Sequence, residues 1–185
     1  MQISILLTTT LLSVFGLASA SPLLQTRETT TTPPSRYYLK THVVNGDHID
    51  SGTNKSDLWV FSYHTGAGLG AAGLSSNKSV AWEGYLNGTQ QLFTYPNNEI
   101  GPWPLSLTSS NTYERWMEAD ISISAIRLDY QGFFFNSSGL QYNQSAHGWL
   151  ACDWSLANPQ LYNIVYGAGP YPSSCSKVNL LPVAV

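Results

Sequence analysis

Glu118 and Asp120 bring the chain closest to a local catalytic motif. They open the stretch EADIS much as paired carboxylates open a strand motif of glycoside hydrolases, where alternate acids on one strand face flank the scissile bond. Ser122 and Ile123 stand where the closing acid belongs, so one of two required carboxyl groups is missing and a solvated strand face is expected. His64, His147 and Asp153 are the weak candidates for a Ser–His–Asp set, but no serine sits in a nucleophile elbow. His42, Asp47, His48 and Asp50 gather around a polar turn without compact ligand spacing. Gly68–Gly73, GLGAAG, matches a dinucleotide-binding pattern, yet LSSNKSVAWEG follows it and supplies no amphipathic helix to hold a pyrophosphate. A tight loop that needs glycine backbone freedom is expected there. No catalytic residue, metal or cofactor is assigned.

Aromatic residues, 12% of the chain, offer a different chemistry. Indole and phenol faces stack on sugar rings while neighbouring amides and hydroxyls bind the ring hydroxyls, and Trp82, Trp103, Trp116 and Trp154 are the candidates. The competing expectation is that indoles in a charge-poor β-domain belong to the core.

Positioning such groups falls to strands. Tyr37–Val44 alternates Tyr37, Leu39, Thr41 and Val43 with Tyr38, Lys40 and His42, the period of a half-buried strand. Leu58–Thr65 places Trp59, Phe61 and Tyr63 on one face and Val60 and His64 on the other. Asn87-Gly88 between apolar runs predicts a hairpin with a type I′ turn, opposing Leu86 to Thr89, Gly84 to Gln91, Trp82 to Phe93 and Val80 to Tyr95. Leu105–Leu107 reads as a short strand, and Arg115–Ala125 as one with Met117, Ala119, Ile121 and Ile123 toward the core. No convincing amphipathic helix appears. An all-β fold is expected, a single antiparallel sandwich or barrel-like domain, with a β-trefoil as the alternative.

Residues 1–20 read as a secretory signal peptide, with an apolar body followed by Ala18-Ser19-Ala20, the small-x-small pattern of a cleavage site. Residues 21–35, with Thr29 to Thr32 and Pro33-Pro34, are expected to be a flexible segment, and 36–185 the folded domain. A net charge of −3, only 10% charged residues and no basic run argue against nucleic-acid binding and against a polybasic membrane patch. Sequons at Asn54, Asn77, Asn87, Asn136 and Asn143 are expected to carry surface N-glycans. The two cysteines of an exported chain are expected to form one disulfide, Cys152–Cys175.

Across Tyr37–Pro182 the chain resembles a family of small fungal secreted proteins built on a domain of unknown function. The resemblance rests on YYLKT at Tyr37–Thr41, SYHTGAGL at Ser62–Leu69, GYLNGT at Gly84–Thr89, GFFFNSSGLQY at Gly132–Tyr142, GWLACDW at Gly148–Trp154, PQLYN at Pro159–Asn163 and SSCSKVNLLP at Ser173–Pro182. It implies an extracellular β-rich protein and brings no activity, substrate or catalytic residue. Members often carry a further aromatic beside the tryptophan of the CDW block, where this chain has Ser155. The expected function is a non-catalytic extracellular module that is structural or associates with a carbohydrate or cell-wall polymer. A small secreted hydrolase acting on glycans or esters is the alternative.

Overall fold

In β1 (Tyr37–Val43) the alternate residues Tyr37, Leu39 and Thr41 are buried while His42 is exposed and Tyr38 and Lys40 are half-buried, as a two-residue period dictates. The computed structural model describes residues 29–44, 52–95, 101–109, 115–123, 131–153, 158–167 and 170–185. Its further strands are β2 (Trp59–Gly66), β3 (Leu69–Ser75), β4 (Glu83–Asn87), β5 (Gln90–Thr94), β6 (Trp103–Thr108) and β7 (Trp116–Ile121). After them come β8 (Phe133–Asn136), β9 (Gly139–Tyr142), β10 (Trp149–Cys152), β11 (Gln160–Ile164) and β12 (Cys175–Ala184). Among the described residues there is no α-helix, only a 3-10 turn at Lys78–Val80.

Pairing runs β1-β4-β5-β6-β7-β3-β11-β10-β12, and β12 returns to β1, closing a nine-stranded antiparallel barrel. The closing seam extends from Tyr37 opposite Ala184 to Val43 opposite Val178, so the two ends of the domain are zipped together. Closure removes the free strand edges that a sandwich keeps, and the barrel is the form realised, not the sandwich or the β-trefoil. The β2–β3 hairpin bridges the barrel: β2 meets β1 at Trp59 and Lys40, while β3 meets β7 at Ala71 and Asp120 and β11 at Gly73 and Gln160.

Inside, Leu39, Val60, Leu74, Phe93, Leu107, Ile121, Trp149 and Leu180 belong to one apolar cluster. Polar groups within it are paired. The Tyr37 hydroxyl donates to Gln91 Oε1 at 2.5 Å, and the Trp149 indole N–H donates to the Leu140 carbonyl at 2.6 Å. Burial pushes the Tyr37 phenol above its ordinary range despite the Gln91 bond. Cys152 and Cys175 face each other across β10 and β12 and form a disulfide, buried in a second cluster with Leu150 and Ile164.

Three local expectations need correction. The β4–β5 hairpin forms, but Asn87 pairs with Gln90 and Gly84 with Phe93, so the loop is Gly88-Thr89 and not Asn87-Gly88. Gly88 takes φ 61° while Thr89 does not enter the positive region, the pattern of a type II′ turn with glycine first. Both registers keep the same faces, but the true one sets Trp82 against Tyr95 instead of Phe93. In β7 the alternation fails past Ile121: Ser122 is buried and Ile123 is 43% exposed. The cause is a pair of hydrogen bonds, Gly70 N–H to Ser122 Oγ at 3.0 Å and Ser122 Oγ–H to the Gly70 carbonyl at 3.2 Å.

The GLGAAG block opens in the β2–β3 turn, where Gly68 takes φ 69° as the expected tight loop requires, but the rest of it is strand β3, where Gly70 and Gly73 answer to packing. A Cβ on Gly70 would stand 2.0 Å from Ser62 Oγ, and one on Gly73 would stand 2.9 Å from the Phe61 ring. GFFFNSSGLQY is the β8–β9 hairpin with Asn136 opposite Gly139. Within the segment expected to be flexible, Thr31 donates its N–H to the Phe135 carbonyl at 2.8 Å and its hydroxyl to the Asn136 carbonyl at 3.2 Å. It thereby covers the outer edge of β8.

Candidate functional site

Trp82 enters the barrel wall just after the 3-10 turn, and its N–H donates to the Val60 carbonyl at 3.1 Å, which fixes it to β2. The hairpin register brings Tyr95 across from it, with ring centroids 5.1 Å apart and tilted by 50°. Trp103 comes from the adjoining strand, where it pairs with Phe93, and meets Trp82 edge-on at 5.3 Å and 79°. These three rings, with Ser62 and His64 from β2, line a notch of about 250 Å³. Trp82 is only 6% exposed and forms its floor, while Tyr95 is 48% exposed and forms its lip.

A recess of this size admits one sugar ring. Its walls are ring faces, and its polar groups are the Ser62 hydroxyl, the His64 imidazole, the Tyr95 phenol and the indole N–H groups, a composition suited to orienting a ring that carries hydroxyls. Ser62 Oγ already donates to the Ile121 carbonyl at 2.9 Å, which leaves its lone pairs to accept.

The structure unites two of the four candidate tryptophans and separates the third. Trp116 packs on the far cluster around the disulfide, beside Tyr162 and Tyr171. Trp154 lies outside the described residues. Tyr95 and Ser62 were not singled out from the sequence; a correct hairpin register would have pointed to Tyr95.

The three weak triad candidates face three different recesses. His64 lines the aromatic notch, His147 lines a polar recess with Lys177 and Asn179, and Asp153 lines a cleft that is the largest of the three. Glu118 is exposed on β7, and Asp120 accepts from the Thr108 hydroxyl at 3.1 Å. Ser122, at the next alternate position, is taken up by Gly70, so nothing there supplies a second acid. His42 is exposed on β1; Asp47, His48 and Asp50 lie outside the described residues. Among the described residues no three His, Cys, Asp or Glu side chains are gathered for a metal, and no helix is long and apolar enough to cross a membrane.

The largest of these three recesses, about 700 Å³, is lined by Thr53, Asn54, Asp57, Leu74, Asn158 and Asp153 among others. Its wall holds a buried ion pair. The Lys55 ammonium, 0% exposed, lies 2.8 Å from Asp153 Oδ1 and also donates to the Thr53 carbonyl and hydroxyl at 2.7 and 3.0 Å. Burial pulls the Asp153 carboxyl upward, but bonds from Lys55 and Thr53 outweigh it and hold the group below the usual carboxylate range. At Asp57, a hydrogen bond and the charge of Lys40, 2.7 Å away, lower the carboxyl in the same way.

Of the sequon asparagines, Asn54, Asn77, Asn87 and Asn143 are exposed and Asn136 is half-buried. Asn54, Asn77 and Asn136 each accept, through Oδ1, the backbone N–H of the serine two residues on, at 2.9, 3.0 and 2.8 Å. This Asx turn leaves the Nδ2 group unspent by that bond.

No curated protein and no solved structure matches the chain significantly. A family model described as "Domain of unknown function (DUF7907)" matches residues 34–184, from just before β1 to the end of β12, and the chain belongs to that family.

Proposed function

We propose that the protein is an exported, N-glycosylated fungal β-barrel that binds carbohydrate of the cell wall without turning it over. The observation that carries this reading is the notch in which Trp82, Tyr95 and Trp103 converge, a stacking surface with Ser62 and His64 at its side. Ring stacking needs a face held at a fixed angle; Trp82 and Tyr95 flank the last β4–β5 pair, Glu83 opposite Thr94, and Trp103 opens β6. Export is supported by the apolar leader ending in Ala18-Ser19-Ala20 and agrees with the disulfide.

The dispersal of His64, His147 and Asp153 over three recesses favours binding over hydrolysis, since acid–base catalysis needs its groups in mutual reach. The test is an array of fungal and plant wall oligosaccharides probed with wild-type protein and with W103A and Y95A variants. Binding by the wild type and its loss in both variants supports the reading. Release of reducing sugar from any bound oligosaccharide contradicts it.

A further inference from the structure

The largest of the three recesses and a sequon share a residue. Asn54 lines that cleft, its side chain is exposed, and its Oδ1 is turned to the Ser56 N–H at 2.9 Å. Around it stand the hydroxyls of Ser75 and Ser76 and the amide of Asn158. We propose that this cleft is the seat of the chain's own Asn54-linked glycan, whose first N-acetylglucosamine lies in it. The hydroxyl and amide groups match the sugar's hydroxyls and N-acetyl group.

This rests on the export reading above, because the sugar is added during export. There, Nδ2 bonds to the anomeric carbon, the lipid-linked diphosphate leaves with the electron pair, and the amide gives up one proton; no electron donor or acceptor is needed.

A freely diffusing sugar would have to be held by these contacts alone. A tethered sugar needs much less, because attachment raises its effective concentration to the order of 1 mM, so a site with a dissociation constant near that value is about half filled. The same glycan shields the mouth of the cleft above the buried Lys55–Asp153 pair. Asn87, at the tip of the β4–β5 hairpin, is the internal control, since it is exposed and lines none of the three recesses described above.

Protein secreted from a glycosylating host would be treated, folded, with an endoglycosidase that cuts between the first two N-acetylglucosamines, and release followed site by site by peptide mass spectrometry. We expect release at Asn54 to be at least tenfold slower than at Asn87, the difference to vanish on denaturation, and the S76A/N158A double variant to bring Asn54 to the Asn87 rate. N54Q would lower the melting temperature more than N87Q. Equal rates in the folded wild type, or an unmodified Asn54 beside an occupied Asn87, would overturn the proposal. A chain with every sequon unmodified would instead overturn the export reading and take the proposal with it.

Discussion

Replacing Asp153 by alanine should be one of the most damaging single changes outside the apolar core, although Asp153 itself is partly exposed. Its side chain is 32% exposed, but the ammonium that it neutralises is fully buried. Removing one partner of a buried pair costs about 3–5 kcal/mol, because the other charge is left uncompensated. Lys55 keeps its two bonds to Thr53, and the opened carboxylate position admits water, so the expected cost is about 2–3 kcal/mol. In a domain of this size that lowers the melting temperature by about 5–10 °C.

The reverse change is milder. Lys55→Met fills the same space without a charge and leaves a carboxylate that water and Thr53 still reach, so about 1 kcal/mol is expected. The pH dependence has a fixed sign: the folded carboxyl lies below its unfolded value, so the pair stabilises above about pH 4 and this is lost as pH falls through the folded value. Thermal melts of wild type, D153A and K55M between pH 3 and 7 test all three points. A D153A melting point within 2 °C of wild type at pH 7, or a K55M loss as large as that of D153A, would refute the reasoning.

Reduction or a Cys152→Ser change should cost about 3 kcal/mol on the chain-entropy model for a sequence separation of 23, and non-reducing peptide mapping with a thermal melt checks it. Gly139→Ala should prevent folding, because Gly139 has φ 92° and a Cβ there would stand 2.0 Å from the Leu180 carbonyl oxygen; Gly88→Ala, at φ 61° in open space, should cost only about 1–2 kcal/mol by denaturant titration. Trp82→Ala should destabilise by about 3–5 kcal/mol as a core deletion, whereas Tyr95→Ala should leave the melting point within about 3 °C and remove sugar binding.

The sequence made faces legible more readily than it made insides. The alternation of Tyr37, Leu39 and Thr41 gave both the strand and its buried side, because the opposite face carries Lys40 and His42. In β2 the same period grouped Trp59, Phe61 and Tyr63, yet Val60 is the fully buried residue and the three aromatics stay half-buried on the other face. Lys40 and Lys78 lie over the Trp59 ring at 5.2 and 5.3 Å, which helps make that outer face tolerable. A two-residue period does not say which side meets the core when both sides carry apolar groups.

Closure was not legible because it depends on pairing between β1 and β12, more than a hundred residues apart. The notch was half legible. Its tryptophans could be named, but their convergence with Tyr95 hung on a hairpin shifted by one loop residue, where Gly88-Thr89 prevailed over Asn87-Gly88. The Lys55–Asp153 pair left no local signal, since a lysine within a sequon reads as solvated.

Tryptophan fluorescence of the folded wild type, titrated with the wall oligosaccharide that scores highest on the array, tests binding at the notch most directly. The account predicts a saturable change that disappears in W103A and in Y95A, while Y95A keeps the wild-type melting curve to within about 3 °C, W103A melts lower but still cooperatively because its ring packs on the core, and no oligosaccharide is cleaved. An unchanged titration in the two folded variants would place any binding elsewhere and contradict the account.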